Sequence, residues 1–228
     1  KTFFLPYNRD LENPPVETGY RSKYLWEEVL TPSSLLDVIE NFIHLSKEDE
    51  LYFDVKSQSI KKKTKDVLIF PRYHQLDATR RLLDTVLAEG AGHKYLIQHS
   101  AGSGKTNSIA WSAHFLADLH GEDNKKVFDV VIVVSDRNVI DTQLQEAIES
   151  FQRNQGVVAA ITSGSGSKSS KLTEALNGDK KIVVCTIQTF PFALEKVREL
   201  AATQGKKFAV IADEAHSSQT GQAATKLK

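Results

Sequence analysis

The run from Val127 to Val134 is apolar at every position except Asp129. A strand with one wet face alternates apolar and polar residues, so a run this uniform is buried on both faces. That condition is met in a parallel sheet covered by helices on each side. The flanking sequence has the matching rhythm. A helix is expected from about Tyr73 to Glu89, with Leu76, Leu83, Val86 and Leu87 on one side and Gly90 beyond its end. Tyr95-Leu96-Ile97 reads as a short strand, and Thr106 to about His120 as a helix. The alternation continues with a helix at Val139–Phe151, a strand at Val157–Ile161 and a short helix at Lys171–Leu176. A strand at Ile182–Thr186, a helix at Pro191–Thr203 and a strand at Phe208–Asp213 complete it. The result is a doubly wound α/β sheet. Right-handed crossovers put all strand C-termini on one edge, where ligands bind.

The first part of the chain is less regular. Pro6, Pro14, Pro15 and Gly19 break any helix in Lys1–Tyr20, which reads as an extended arm or linker. Tyr24–Leu30 reads as a short helical turn. Thr31 then caps a helix running to about Leu45, with Pro32 at its first position and Leu35, Leu36, Ile39, Phe42 and Ile43 on its apolar face. Leu51–Val55 reads as a short strand, and the basic run Lys61–Lys65 as a solvated turn. This divides the chain into an arm and helical connector over residues 1–60 and an α/β domain over 61–228. Ser163–Ser170 is low-complexity and reads as a mobile surface loop.

Composition excludes several classes. Lys and Arg together number 29, equal to Asp and Glu, so no overall charge points to nucleic acid. No stretch approaches the ~20 apolar residues of a membrane span, and no signal peptide opens the chain. The single cysteine, Cys185, lies in an apolar strand and cannot form an internal disulfide, which points to a reducing, cytoplasmic setting. The 228 residues include no methionine and do not begin with one, as expected of an excerpt from a longer chain.

The chemistry concentrates at two strand ends. His99-Ser100-Ala101-Gly102-Ser103-Gly104-Lys105-Thr106 lies between an expected strand and an expected helix. Gly102 and Gly104, flanking Ser103, let backbone N–H groups converge on phosphate oxygens with no Cβ in the way. The helix beyond aims its positive end at the anion. Lys105 would reach the β- and γ-phosphates of ATP, and the Thr106 hydroxyl would coordinate Mg²⁺. The strict form of this motif has a glycine where His99 stands, but the turn itself lies at Gly102–Thr106. The second strand end is Asp213-Glu214-Ala215-His216, directly after Phe208–Ala212. Two acids at the tip of a buried strand are costly without a cation. Asp213 suits the Mg²⁺ shell and Glu214 the activation of an attacking water. His216 either couples the nucleotide to a partner domain or is an ordinary hydrogen-bonding histidine.

Gly-Ser-Gly-Lys-Thr with Asp213-Glu214-Ala215-His216 resembles motifs I and II of superfamily 2 helicases and translocases. Phe4–Asn8, Tyr24–Leu30, Phe70–Gln75 and the run from Asp213 to Gly221 further resemble the R (motor) subunit of type I restriction enzymes, over essentially the whole chain. The resemblance implies a RecA-like P-loop domain, a three-layer α/β/α sandwich with a mostly parallel sheet, preceded by the arm and helix. It implies Gln75 as the adenine-reading glutamine, since an amide both donates and accepts. It implies contacts to DNA phosphates from Arg137, Gln188 and Thr189. A helix cap at Asp136-Arg137 and a strand-end turn at Thr186–Phe190 are the structural alternatives. The implied partners are double-stranded DNA and the methyltransferase and specificity subunits of a restriction complex, with no membrane.

The family's nuclease domain and second motor domain have no counterpart in these residues. The chain is therefore expected to bind ATP, hydrolyse it weakly and not cut DNA. An arginine finger from a second domain is worth about 10³–10⁵ in rate. Three alternatives stand beside the motor reading: another superfamily 2 helicase or remodelling ATPase, a non-catalytic ATP-binding switch, and a small-substrate P-loop kinase. The long Asp213–Gly221 match disfavours the first, and intact Lys105, Thr106, Asp213 and Glu214 disfavour the second. The third leaves Asp213–His216 unexplained.

Overall fold

A computed structural model describes residues 25–135, 138–151, 156–161 and 168–213. The chain separates into two compact units, Lys1–Asp77 and Ala78–Lys228. The expected arm at Lys1–Tyr20 lies outside the described residues.

In the first unit, a helical turn at Leu25–Val29 precedes α1 (Pro32–Asp37), which widens into a looser turn at Val38–Phe42 and ends at Ile43 in extended conformation. The helix is thus shorter than the expected Thr31–Leu45. Its buried stripe is Val38 and Phe42, four residues apart, while Leu36 and Ile39 are exposed. Thr31 holds the extended backbone of a cap, but its hydroxyl donates to the Glu28 carbonyl instead of accepting from the helix. The preceding helical turn presents that carbonyl, and Pro32 removes one of the N–H groups a cap would serve.

Two long antiparallel strands follow, β1 (His44–Asp54) and β2 (Ser59–Ile69), paired in register from His44 opposite Ile69 to Asp54 opposite Ser59. The basic run expected as a turn therefore lies inside β2. Its lysines are stabilised across the ladder by carboxylates of β1: Lys62 with Asp49 at 2.7 Å, Lys65 with Glu50 at 3.5 Å, and Lys61 with Asp54. The Thr64 hydroxyl also donates to Asp49 at 2.7 Å. Hydrogen bonds from Lys62 and Thr64 hold the Asp49 carboxyl below its usual range. A boundary drawn between residues 60 and 61 would fall within β2.

Helix α2 (Tyr73–Glu89) has the expected bounds, with Gly90 beyond its end at φ +77°. In the second unit, α3 (Lys105–Ala117) leads to β3 (Val130–Ser135). Then come α4 (Asn138–Ser150), β4 (Val158–Ala160), α5 (Lys168–Asn177), β5 (Ile182–Thr186), α6 (Phe190–Gln204) and β6 (Phe208–Ala212). The four strands β3–β6 form one parallel sheet in the order β4-β5-β3-β6. Residues 168–170, expected as the end of a mobile loop, open α5.

The pleat sorts the central strands onto two faces. Val131, Val133, Ile182 and Val184 pack with α3 and α4 residues such as Ala113, Leu116, Leu144 and Ile148. Val130, Ile132, Val134, Val183 and Cys185 pack with Leu172 and Leu176 of α5 and Phe190 and Ala193 of α6. The double burial expected of Val127–Val134 is realised over Val130–Val134, each 3% exposed or less, and the outcome is a three-layer α/β/α sandwich. Ile132 is fully buried among these layers. Ile132→Ala is expected to cost about 2–5 kcal/mol of unfolding free energy. Urea unfolding of the two proteins would read this as a lower midpoint at unchanged slope.

One expected strand is missing. Tyr95-Leu96-Ile97 forms no strand, and Leu96 is 83% exposed. Three apolar residues suit a strand only when a neighbour supplies the ladder, and among the described residues none pairs with them.

Candidate nucleotide-binding site

The glycines of the loop do what their spacing demands. Gly102 has φ +72° and Gly104 φ +82°, a left-handed backbone that costs a side-chain-bearing residue about 1 kcal/mol or more. The turn is closed by the Ser103 N–H donating to the Ser100 carbonyl at 3.3 Å. Gly104 is the residue before the first turn of α3, and the Asn107 N–H donates back to its carbonyl at 3.1 Å. A Cβ built at Gly102 would meet nothing within 4 Å, so the loop's outer side is open space. Ser103 is buried, whereas Lys105 and Thr106 are half-buried at the start of α3.

The acidic strand end is brought to this loop. β6 lies beside β3, and the Asp213 N–H donates to the Val134 carbonyl at 2.8 Å, extending that pairing past the end of β6. Asp213 is 8% exposed, and its Oδ1 lies 3.0 Å from Lys105 Nζ. Two residues distant in sequence thus meet as an ion pair at the C-terminal edge of the sheet. Glu214 and His216 lie outside the described residues, as does Arg137.

The other candidates are placed as follows. Gln75 is 2% exposed, and its side-chain oxygen accepts from the Arg72 N–H at 2.8 Å. That contact ties the amide, in the first turn of α2, to the backbone just before the helix. Gln188 is exposed in the turn after β5. Thr189 is 1% exposed, and its hydroxyl lies 3.1 Å from that of Thr186. Its N–H donates to the Thr186 carbonyl at 2.9 Å, and the Ile187 N–H donates to the Ser135 carbonyl at the end of β3. In this turn Gln188 is the side chain a ligand can reach, and Thr186 and Thr189 lock the backbone beneath it.

The donor set fits a hard divalent cation. A hydroxyl at Thr106 and a buried carboxylate at Asp213 are oxygen ligands of the kind Mg²⁺ takes alongside phosphate oxygens and water. Among the described residues no cluster of three or more His, Cys, Asp or Glu could hold a metal ion.

Two features escape sequence reasoning. Thr186 reads as the last residue of an apolar strand, and only its contact with Thr189 marks it. The Ser108 hydroxyl, in the first turns of α3, is buried with no hydrogen-bond partner among the described residues. An unmet buried hydroxyl costs about 1–3 kcal/mol. Ser108→Ala is therefore expected to raise the unfolding free energy of the nucleotide-free protein by ~1 kcal/mol, measurable by thermal or urea unfolding.

With this geometry in place, the comparisons with known proteins are direct. The SWI2/SNF2 ATPase family matches residues 74–228. The chain belongs to the SWI2/SNF2 ATPase family. It is also similar to two proteins of Methanocaldococcus jannaschii. One, named "Putative type I restriction enzyme MjaVIIP endonuclease subunit", is 32% identical over 130 residues, covering 56% of this chain and 11% of that protein. The other, with the same description for MjaVIIIP, is 25% identical over 245 residues, covering 93% of this chain and 22% of that protein. The chain therefore spans only about a tenth to a fifth of the length of these relatives. Among the described residues no helix is long and apolar enough to cross a membrane.

Proposed function

We propose that this chain is the first motor domain of a type I restriction endonuclease subunit, binding Mg²⁺–ATP at the Gly102–Thr106 loop. The observation that carries this reading is the 3.0 Å pairing of Lys105 with Asp213, which joins the phosphate loop to the acidic strand end. A loop that merely turned the chain would have no need of a buried acid aimed at its lysine. In the bound state, the N–H groups around Gly102, Ser103 and Gly104 hold phosphate oxygens, and Lys105 leaves Asp213 for the β- and γ-phosphates. Thr106 and Asp213 hold the Mg²⁺ shell. The cation supplies charge neutralisation at the phosphates. Gln75 reads adenine, Glu214 orients and deprotonates the attacking water, and His216 passes the nucleotide state to a partner domain.

The motor domain begins near the hairpin and α2, and the earlier residues form an arm and connector. Hydrolysis drives translocation along duplex DNA in the cytoplasm, in complex with methyltransferase and specificity subunits, and restriction follows in the parent protein. Gln188 is the exposed phosphate contact, Thr189 holds its turn, and Arg137 contributes a further contact. The relatives' names and the family match support this assignment. The test is steady-state ATP hydrolysis by the parent polypeptide with and without duplex DNA. Duplex stimulation abolished by Lys105→Ala is the expected result. Brisk turnover indifferent to DNA would point to a self-contained P-loop enzyme instead.

A further inference from the structure

The core-facing stripe of α3 runs at helical spacing through Ser108, Trp111, Ser112 and Leu116, all of them buried. Its near end, one turn inside the phosphate loop, is a serine where a core stripe ordinarily carries an apolar residue. Ser108 is 6% exposed, and among the described residues its hydroxyl has no hydrogen-bond partner. A serine inside a helix can satisfy itself by donating to the carbonyl four residues back. For Ser108 that carbonyl belongs to Gly104, the loop residue immediately before α3. Helical side chains lean toward the N-terminus of their helix, so the hydroxyl is directed at the loop.

The local backbone accounts for the unmade bond. The Asn107 N–H donates to the Gly104 carbonyl at 3.1 Å, a tight closure over three residues. Gly104 itself holds φ +82° and ψ +35°. Its carbonyl is thereby engaged toward position 107, and the donor at position 108 goes unserved. A second arrangement lies close by. The Gly104 carbonyl and the Lys105 N–H belong to one rigid peptide plane and point in opposite directions. An anion beyond the start of α3 draws that N–H outward. The same rotation turns the carbonyl inward along the helix, toward the Ser108 hydroxyl.

We propose that Ser108 is a positioning residue of the phosphate loop: its hydroxyl, unmet in the nucleotide-free protein, donates to the Gly104 carbonyl once a phosphate engages the Lys105 N–H. This rests on the reading of Gly102–Thr106 as an ATP-binding loop, and it adds to that site a residue that touches no ligand. Binding relieves an unmet hydrogen bond, so the serine contributes to affinity through the loop.

The test compares Ser108→Ala with Ser112→Ala in the full natural polypeptide, by calorimetric titration with Mg²⁺–ATP. Ser112 is buried in the same stripe, one turn further from the loop. Alanine favours a helix at both positions, so both variants fold. The expected result is a roughly tenfold loss of affinity in Ser108→Ala, the scale of one buried hydrogen bond gained on binding, with wild-type affinity in Ser112→Ala. Wild-type affinity in Ser108→Ala would overturn the proposal, as would an equal loss in both variants. If the wild type itself bound no Mg²⁺–ATP, the nucleotide-site reading would fall and this inference with it, an outcome distinct from normal wild-type binding that Ser108→Ala leaves unchanged.

Discussion

Replacing Lys105 with alanine is expected to weaken Mg²⁺–ATP binding by about 100-fold or more. Hydrogen bonds to charged groups contribute about 1.5–3 kcal/mol each, and in the proposed site the lysine ammonium would make them to two phosphates. Every 1.4 kcal/mol is tenfold in affinity. The same substitution acts on the empty protein. Lys105 Nζ lies 3.0 Å from a carboxylate whose side chain is only 6% exposed. Removing the ammonium strips that buried charge of a counterion. Breaking a fully buried pair costs about 3–5 kcal/mol. Lys105 itself is 34% exposed, so water screens part of the interaction and a loss of ~1–2 kcal/mol is expected. Calorimetric titration reads the affinity and thermal unfolding reads the stability. A variant that lost stability but kept its affinity for ATP would show that Lys105 serves only as the counterion of Asp213.

Asp213→Asn has the second large effect, and its sign depends on the cation. With Mg²⁺ present, the variant lacks the carboxylate proposed to hold the metal shell, so affinity is expected to fall by ~10-fold or more, the scale of one charge-assisted contact. Without Mg²⁺ the expectation reverses. The wild-type carboxylate both ties up Lys105 and repels the phosphates, so the variant binds free ATP as tightly as the wild type or more tightly. Parallel titrations in Mg²⁺ and in a chelator separate the two cases. If Asp213→Asn bound ATP with the wild type's full Mg²⁺ dependence, Asp213 would have no part in holding the cation.

The strongest sequence signals were those in which one local pattern had one physical solution. The apolar block around Val130–Val134 has no polar face to offer water, and it lies at the centre of a parallel sheet covered on both sides. Gly102 and Gly104, expected as the turn of the loop, have a left-handed backbone. The failures came where the deciding interaction lay outside the window. Lys61–Lys65 has no apolar alternation, and its place in a strand shows only in the ladder with β1, where Asp49, Glu50 and Asp54 pair with its lysines. Tyr95–Ile97 has a strand's composition, but among the described residues no neighbour pairs with it. In the first helix, the expected Phe42 is buried, but its partner in the stripe is Val38, with Leu36 and Ile39 left exposed. The Thr186–Thr189 hydroxyl contact, by contrast, is a partner that spacing alone does not reveal.

The most direct test of the central claim is a calorimetric titration of the wild-type chain with ATP, with Mg²⁺ and then with a chelator in its place. One site per chain is expected, with affinity that rises when Mg²⁺ is present. Absence of binding, or binding indifferent to Mg²⁺, would contradict a site built from the Gly102–Thr106 loop and Asp213.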